Sequence, residues 1–258
     1  MRIGGLQKNS FIDFPGKLAA VVFTRGCNLR CPWCHNPNLL EAGGETNRAF
    51  VAGGAAENKR GSSEPQDAAQ GPECDLSPAE FFAFLEKRQG QLEGVVISGG
   101  EPTIHSDLPE FAAAIRQRGY ALKLDTNGLN PQMLQCLLKA GLLDYLAMDL
   151  KTVFAGYSAF GAEGKGTEKA LLASMRLIGE SGIPAEFRIT CASPFVRAPV
   201  VAELAAQIAA HAPKVPLWLQ AARWENALYP DYPARFPAPD LDELRQAALT
   251  SLIDCRIR

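Results

Sequence analysis

Gly94-Val-Val-Ile-Ser-Gly-Gly-Glu-Pro-Thr-Ile-His-Ser-Asp-Leu-Pro-Glu-Phe-Ala-Ala-Ala-Ile-Arg-Gln-Arg-Gly-Tyr-Ala-Leu-Lys-Leu124 carries the plan of the whole chain in one repeat. The apolar run Gly94–Ile97 reads as a strand. Leu108 to Arg118 reads as a helix stopped by Gly119, the residue type that most readily ends one. Ala121–Leu124 reads as the next strand. A strand, a helix and a strand in this order place the two strands parallel, with the helix as the crossover between them.

The same unit recurs on both sides. Upstream, Leu18-Ala-Ala-Val-Val-Phe-Thr24 is a nearly continuous apolar run, the pattern of a strand buried on both faces. Ser77-Pro-Ala-Glu80 is a capping box with proline at the first helical position, and opens a helix to about Arg88. Downstream, helices over Pro131–Ala140, Thr167–Ser181, Val200–Ala210 and Leu241–Leu252 alternate with strands at Tyr145–Met148, Glu186–Thr190 and Leu217–Leu219. The tail from Ile253 to Arg258 is a candidate edge strand. Six strand–helix units predict an α/β fold with a parallel sheet. They are fewer than the eight of a closed barrel, so the expectation is an open, partial (β/α)6 barrel. Phe11-Ile-Asp-Phe-Pro-Gly-Lys17 reads as a turn leading into the first strand.

The 258 residues are enough for one large domain, and we expect a single domain over 1–258. Its one interruption is a stretch at about 41–76, where Gly43-Gly, Gly53-Gly and Asn58-Lys-Arg-Gly-Ser-Ser-Glu-Pro offer little to bury. We expect a flexible surface insertion there, with a lid or docking arm as the sharper reading, and Cys74 within it as a free thiol. With 47% apolar and 21% charged residues and a net charge of −2, the chain reads as soluble and shows no electrostatic footprint for nucleic acid or an anionic membrane. No signal peptide and no apolar run near ~18 residues is present, so the expected location is the cytoplasm. Seven cysteines in a reducing compartment point to metal rather than to disulfides.

Three of those cysteines lie in Cys27-Asn-Leu-Arg-Cys31-Pro-Trp-Cys34. Three thiolates on one loop suit an iron–sulfur cluster, one ligand short of a closed site. Structural zinc would need a fourth ligand, and His35 adjoins Cys34 too closely for easy chelation of the same ion. Cys31-Pro-Trp-Cys34-His35 also matches the C-x-x-C-H pattern of a c-type haem carrier, which would leave Cys27 idle. The other suggestive stretches share one trait, that each follows or ends a strand. They are Ser98-Gly-Gly-Glu-Pro102, Asp125-Thr-Asn-Gly128, Asp149-Leu-Lys151, Arg188 to Ser193, and Gln220 to Asn226. In parallel α/β folds that end of the strands forms the active-site rim. Taken alone, Asp125-Thr-Asn-Gly128 is also a good turn, Asp149 and Lys151 could form a simple ion pair, and the late aromatics from Trp218 to Tyr232 could simply pack over the open end.

Cys-x-x-x-Cys-x-aromatic-Cys followed by Gly-Gly-Glu-Pro resembles the radical S-adenosylmethionine superfamily. The resemblance implies one [4Fe–4S] cluster on Cys27, Cys31 and Cys34, with S-adenosylmethionine on the open iron. It places Trp33 near the adenine, and puts Gly99, Gly100 and Glu101 on the methionyl ammonium through backbone oxygen and side chain. Cys34-His-Asn36, Leu124-Asp-Thr-Asn-Gly128 and Met148-Asp-Leu-Lys151 narrow it to the glycyl-radical-enzyme activases. The opening Ile3-Gly-Gly-Leu-Gln and Ile12-Asp-Phe-Pro-Gly-Lys17 are similar to the activating proteins of anaerobic ribonucleoside-triphosphate reductase. By that likeness Asp125 and Lys151 contact the cofactor, with Lys151 counted among the catalytic groups. The same likeness to some activases implies a monovalent cation on Asp125, Thr126 and Asp149, and Arg188 paired with the methionyl carboxylate. The implied partners are a glycyl radical enzyme, with the reductase first and a formate-lyase type as alternative, and a flavodoxin or ferredoxin as electron donor. A small-molecule or peptide substrate is the remaining rival.

Overall fold

The computed structural model describes residues 1–40, 76–162, 166–234, 236–252 and 254–258. The insertion expected at 41–76, including Cys74, lies outside these residues except for Leu76, which bridges antiparallel to Ile3.

Eight strands form one sheet in sequential order. They are β1 (Ile3–Ser10), β2 (Ala19–Thr24), β3 (Gly94–Gly99), β4 (Ala121–Thr126), β5 (Tyr145–Leu150), β6 (Ala185–Cys191), β7 (Leu217–Ala221) and β8 (Cys255–Ile257). β1 runs antiparallel to β2, and every later pair is parallel. The helices α1 (Pro78–Lys87), α2 (Leu108–Gln117), α3 (Pro131–Lys139), α4 (Thr167–Glu180), α5 (Ala198–His211) and α6 (Leu241–Leu249) alternate with β2 to β8. These are the six expected units. β1 and β8 are the two edges of the sheet, so the barrel is open.

Local chemistry explains several boundaries. Ser77 accepts from the Glu80 N–H while the Glu80 carboxylate accepts from the Ser77 N–H, the reciprocal capping box expected for α1. Gly119 and Gly141 take positive φ just after α2 and α3, where a side chain would be strained. One strand was not foreseen. β1 holds two glycines, and its second half is mostly exposed and polar, so it carries no apolar run to read.

The two faces of the sheet differ in kind. Leu122, Leu124, Leu146, Met148, Phe187, Ile189, Leu217 and Leu219 are buried in the large core with α-helical residues such as Ile115, Leu137, Met175 and Leu204. Each such side chain contributes roughly 1.5–3 kcal/mol. The other face has a small apolar patch of Phe14, Ala19, Val21 and Val96. Beyond it the alternate residues of β4, β5 and β6 include Lys123, Asp125, Asp149, Glu186 and Arg188, joined to one another by ion pairs. The expectation of strands buried on both faces holds for β2, whose inner residues are apolar, while β4 to β6 bury charge on that face.

Candidate active site

The cysteine loop leaves β2 and is held at several points by backbone bonds. The Gly26 N–H donates to the Leu39 carbonyl at 2.8 Å, and the Arg30 N–H to the Phe160 carbonyl at 2.8 Å. From the far end of the chain, the Leu228 N–H donates to Cys34 O at 3.1 Å and the Tyr229 N–H to Pro32 O at 3.0 Å. Asn127 Nδ2 donates to Asn28 Oδ1 at 2.7 Å, tying the loop to the turn after β4. Trp33 is 3% exposed, with its ring 5.1 Å from that of Phe160 and 5.3 Å from that of Phe195. Phe195 in turn faces Tyr232 at 5.8 Å, and Tyr232 stacks on Trp224 at 5.7 Å. The late aromatics thus form a wall continuous with the cysteine loop.

The turn after β3 packs directly on this loop. The Gly100 N–H donates to Thr24 O and the Glu101 N–H to Gly26 O, both at 2.9 Å. Gly99 has φ +112°, and a Cβ on it would stand 2.7 Å from the Thr24 carbonyl oxygen. A Cβ on Gly100 would overlap the Gly26 carbonyl oxygen. Among the described residues these glycines are therefore required for the approach of two protein segments, β2 and β3, in addition to any approach to a ligand.

Glu101 is 1% exposed. Its Oε1 accepts from the Thr103 N–H at 3.0 Å, Thr103 Oγ1 at 2.6 Å and Thr126 Oγ1 at 2.7 Å, and its Oε2 from the Asn127 N–H at 2.6 Å. Burial pushes this carboxyl above its ordinary range, against the pull of those four donors. Sequence reasoning assigned it to a ligand. The structure also makes it the tie between the β3 and β4 exits, a role no local pattern announces.

Asp125, Asp149, Lys151 and Arg188 form one network. Arg188 grips Asp149 with a two-toothed fork, Nε to Oδ1 at 2.7 Å and Nη2 to Oδ2 at 3.1 Å. Its Nη1 lies 3.3 Å from Asp125 Oδ2. Lys123, 2% exposed, donates to Asp125 Oδ1 at 2.8 Å, and Lys151 Nζ lies 3.5 Å from Asp149 Oδ2. Burial raises both aspartates, but Arg188, with Lys123 beside Asp125 and Lys151 beside Asp149, outweighs it and holds both below the usual carboxylate range. Burial works against the Lys151 charge, yet Asp149 and Cys31 outweigh it and raise the ammonium. The fork that was to meet a methionyl carboxylate is taken by Asp149, and Arg188 spans the two aspartates assigned to a monovalent cation.

All these elements open on one cleft enclosing about 850 Å³ of empty space, its open mouth included. Cys27, Cys31, Cys34, Trp33, Gly99, Gly100, Glu101, Asp125, Thr126, Asp149 and Lys151 line it, and Arg188 does not. Lys151 is the one lysine or arginine among the described lining residues. Leu29, His35, Asn36, Ser98, Asn127, Thr190 and Gln220 line it as well, without having been assigned a role. Ser98, Thr190 and Gln220 fall within the stretches at strand ends that the sequence singles out. The lining cysteines are free thiols, pushed up by burial to about 11 at Cys27 and about 12 at Cys31. Among the described residues no three His, Cys, Asp or Glu side chains gather as a site for a single metal ion. A four-iron cluster takes its cysteines on separate irons, which asks for wider spacing than one ion does. Soft sulfur donors on one loop, beside a wall carrying carboxylates, an ammonium and an indole, suit such a cluster and an amino-acid sulfonium together.

The family model described as the Radical SAM superfamily matches residues 21–194. Over 192 residues the chain is 30% identical to a protein of Methanocaldococcus jannaschii named as a candidate glycyl-radical enzyme activating enzyme, covering 73% of this chain and 67% of that one. It is 27% identical to the PqqA peptide cyclase of Granulibacter bethesdensis, covering 68% and 39% of the two chains. It is 29% identical to the pyruvate formate-lyase-activating enzyme of Clostridium pasteurianum, covering 64% and 58%. The chain therefore spans well under two thirds of the cyclase and somewhat under two thirds of the clostridial enzyme. The crystal structure of Streptococcus suis SuiB bound to S-adenosylmethionine matches the fold with a TM-score of 0.57 at 16% identity, over 92% of this chain and 49% of that one. No described helix is long and apolar enough to cross a membrane.

Proposed function

The chain belongs to the Radical SAM superfamily, and we propose that within it this protein installs a glycyl radical on a partner enzyme, first among candidates the anaerobic ribonucleoside-triphosphate reductase. The family's chemistry implies a [4Fe–4S] cluster and S-adenosylmethionine. One observation carries the reading: three cysteines, the Gly99–Glu101 turn, Asp125 and Lys151 come from the ends of four different strands and line one cleft.

When bound, the cluster and cofactor supply one-electron cleavage of the sulfonium to methionine and a 5′-deoxyadenosyl radical. The protein's part is positioning and exclusion of water. Cys27, Cys31 and Cys34 would hold the cluster. Backbone oxygens at Gly99 and Gly100 and the Glu101 carboxylate would meet the methionyl ammonium. Lys151 supplies the positive charge that the cleft presents to an anionic or ribose oxygen, and Asp125 accepts from a ligand N–H or hydroxyl. Trp33 would pack beside the adenine. Thr126 serves by holding Glu101. Hydrogen transfer from a partner's glycine α-carbon would leave 5′-deoxyadenosine and a glycyl radical. Flavodoxin or ferredoxin would deliver the electron. We extend the single domain to the whole of 1–258.

Anaerobic reconstitution with iron and sulfide, followed by dithionite and S-adenosylmethionine, tests the first half: 5′-deoxyadenosine should form and should vanish in Cys31→Ala. Adding the reductase should produce a glycyl radical doublet in electron paramagnetic resonance. Similarity to the clostridial enzyme favours a second reading, a formate-lyase-type partner. The same experiment with both partners separates them. Turnover with a peptide but with neither enzyme would end the activase reading.

A further inference from the structure

The two aspartates at the floor of the cleft already contain a cation of the protein's own. Asp125 sits on β4 and Asp149 on β5, and Arg188 reaches them both from β6, where it is the register partner of Asp149. Each of the four carboxylate oxygens faces a cationic nitrogen. Asp125 Oδ1 has Lys123 at 2.8 Å and Oδ2 has Arg188 Nη1 at 3.3 Å. Asp149 Oδ1 has Arg188 Nε at 2.7 Å, and Oδ2 has Arg188 Nη2 at 3.1 Å with Lys151 at 3.5 Å. The remaining neighbour of Asp125 is Ser98, whose hydroxyl donates to Oδ2 at 3.1 Å. Two part-buried carboxylates are thus met by three cations. Glu186 lies 3.8 Å from Arg188 Nη1, and is itself occupied by Arg258 at 3.2 Å and by the Tyr145 hydroxyl at 3.1 Å.

We propose that Arg188 is a positioning residue that stands in for a monovalent cation: its guanidinium spans Asp125 and Asp149, fixes both carboxylates at the cleft floor, and leaves no place for sodium or potassium between them. The charge balance favours this. A fourth cation between two part-buried carboxylates that already face three would add positive charge with no carboxylate left to compensate it. Geometry agrees, because a planar fork satisfies two oxygens of one carboxylate and still offers a third nitrogen to the other, which an ammonium cannot do. On this reading the protein needs neither sodium nor potassium for turnover.

The test compares reconstituted wild type with Arg188→Gln in sodium, potassium or choline chloride at equal ionic strength. Wild type should unfold at the same temperature in all three salts. Arg188→Gln removes the fork and leaves an amide oxygen beside two carboxylates. It should unfold about 3 °C or more higher in sodium or potassium than in choline. Formation of 5′-deoxyadenosine by the variant should be low in choline and rise about tenfold in one of the metal salts. The rate arm rests on the functional reading, and the unfolding arm does not, so an enzyme that releases no 5′-deoxyadenosine leaves the cation result intact. Wild type that is selectively stabilised or activated by sodium or potassium overturns the proposal, as does an Arg188→Gln protein indifferent to the salt. If Arg188→Gln yields no folded protein in any salt, Arg188→Lys is read instead. It should unfold well below wild type, and a wild-type unfolding temperature for it would show that the fork is not needed.

Discussion

A Cβ on Gly100 would overlap the carbonyl oxygen of Gly26, which is backbone and cannot swing aside. Gly100→Ala should therefore separate the β3 turn from the cysteine loop. The strain is worth about 1–3 kcal/mol, and the expected result is a lower unfolding temperature together with poorer iron retention after reconstitution. Full iron content and unchanged stability would show that the loop tolerates the displacement. Lys151 makes a different prediction. It is the described cationic side chain that both lines the cleft and pairs with the network behind it. Lys151→Met keeps the length and removes the charge. One charged hydrogen bond to the ligand would be lost, so binding of S-adenosylmethionine to the reconstituted protein should weaken roughly 10- to 100-fold. Equilibrium binding reads this directly, and an unchanged Kd would remove Lys151 from the ligand's contacts.

Helices and strands were largely legible because each carries its own signal. Ser77 and Glu80 cap α1 reciprocally, as their spacing predicts. Ser77→Ala should cost about 1 kcal/mol and lower the unfolding temperature by about 2–4 °C, with no effect on iron binding. β1 was illegible for the opposite reason. Its glycines and polar half give no periodicity, and its place is set by antiparallel pairing with the free edge of β2, which the sequence does not advertise as needing a partner. The site divides in the same way. The cysteine loop and the turns after β3, β4 and β5 could be seen because chemistry-bearing residues follow strands at regular intervals. The partners of Glu101 and Arg188 could not, because they depend on how strands register. Asp149 and Arg188 are 39 residues apart and become neighbours only through the pairing of β5 with β6. A residue chosen as a ligand from its type alone is indistinguishable from one that holds the ligand's neighbours until that pairing is known.

Across the molecule, the concave face of the sheet concentrates buried charge, and this sets how stability responds to acid. Asp125 and Asp149 are held below the usual carboxylate range in the folded state, by Arg188 and a lysine each against the opposing effect of burial. The unfolded chain takes up protons at these groups near the ordinary value of about 4, before the folded protein does. Their contribution is therefore complete at neutral pH and is lost as pH falls through and below that range. Glu101 has the reverse sign. Burial raises it, so its contribution is present at low pH and lost as pH rises through its folded value. Two groups act against one, and the net expectation is a chain that loses stability on acidification. Asp149→Asn separates these terms. It leaves the Arg188 fork without its main partner, which should cost about 3–5 kcal/mol at pH 7. It also deletes one of the two groups responsible for the acid limb, so the fall in stability from pH 7 to well below 4, where that limb lies, should become shallower than in wild type. Denaturant unfolding of the cluster-free proteins across that interval measures both at once. A variant that is destabilised at pH 7 but keeps the wild-type acid slope would mean that the limb originates outside the Asp125–Arg188–Asp149 network.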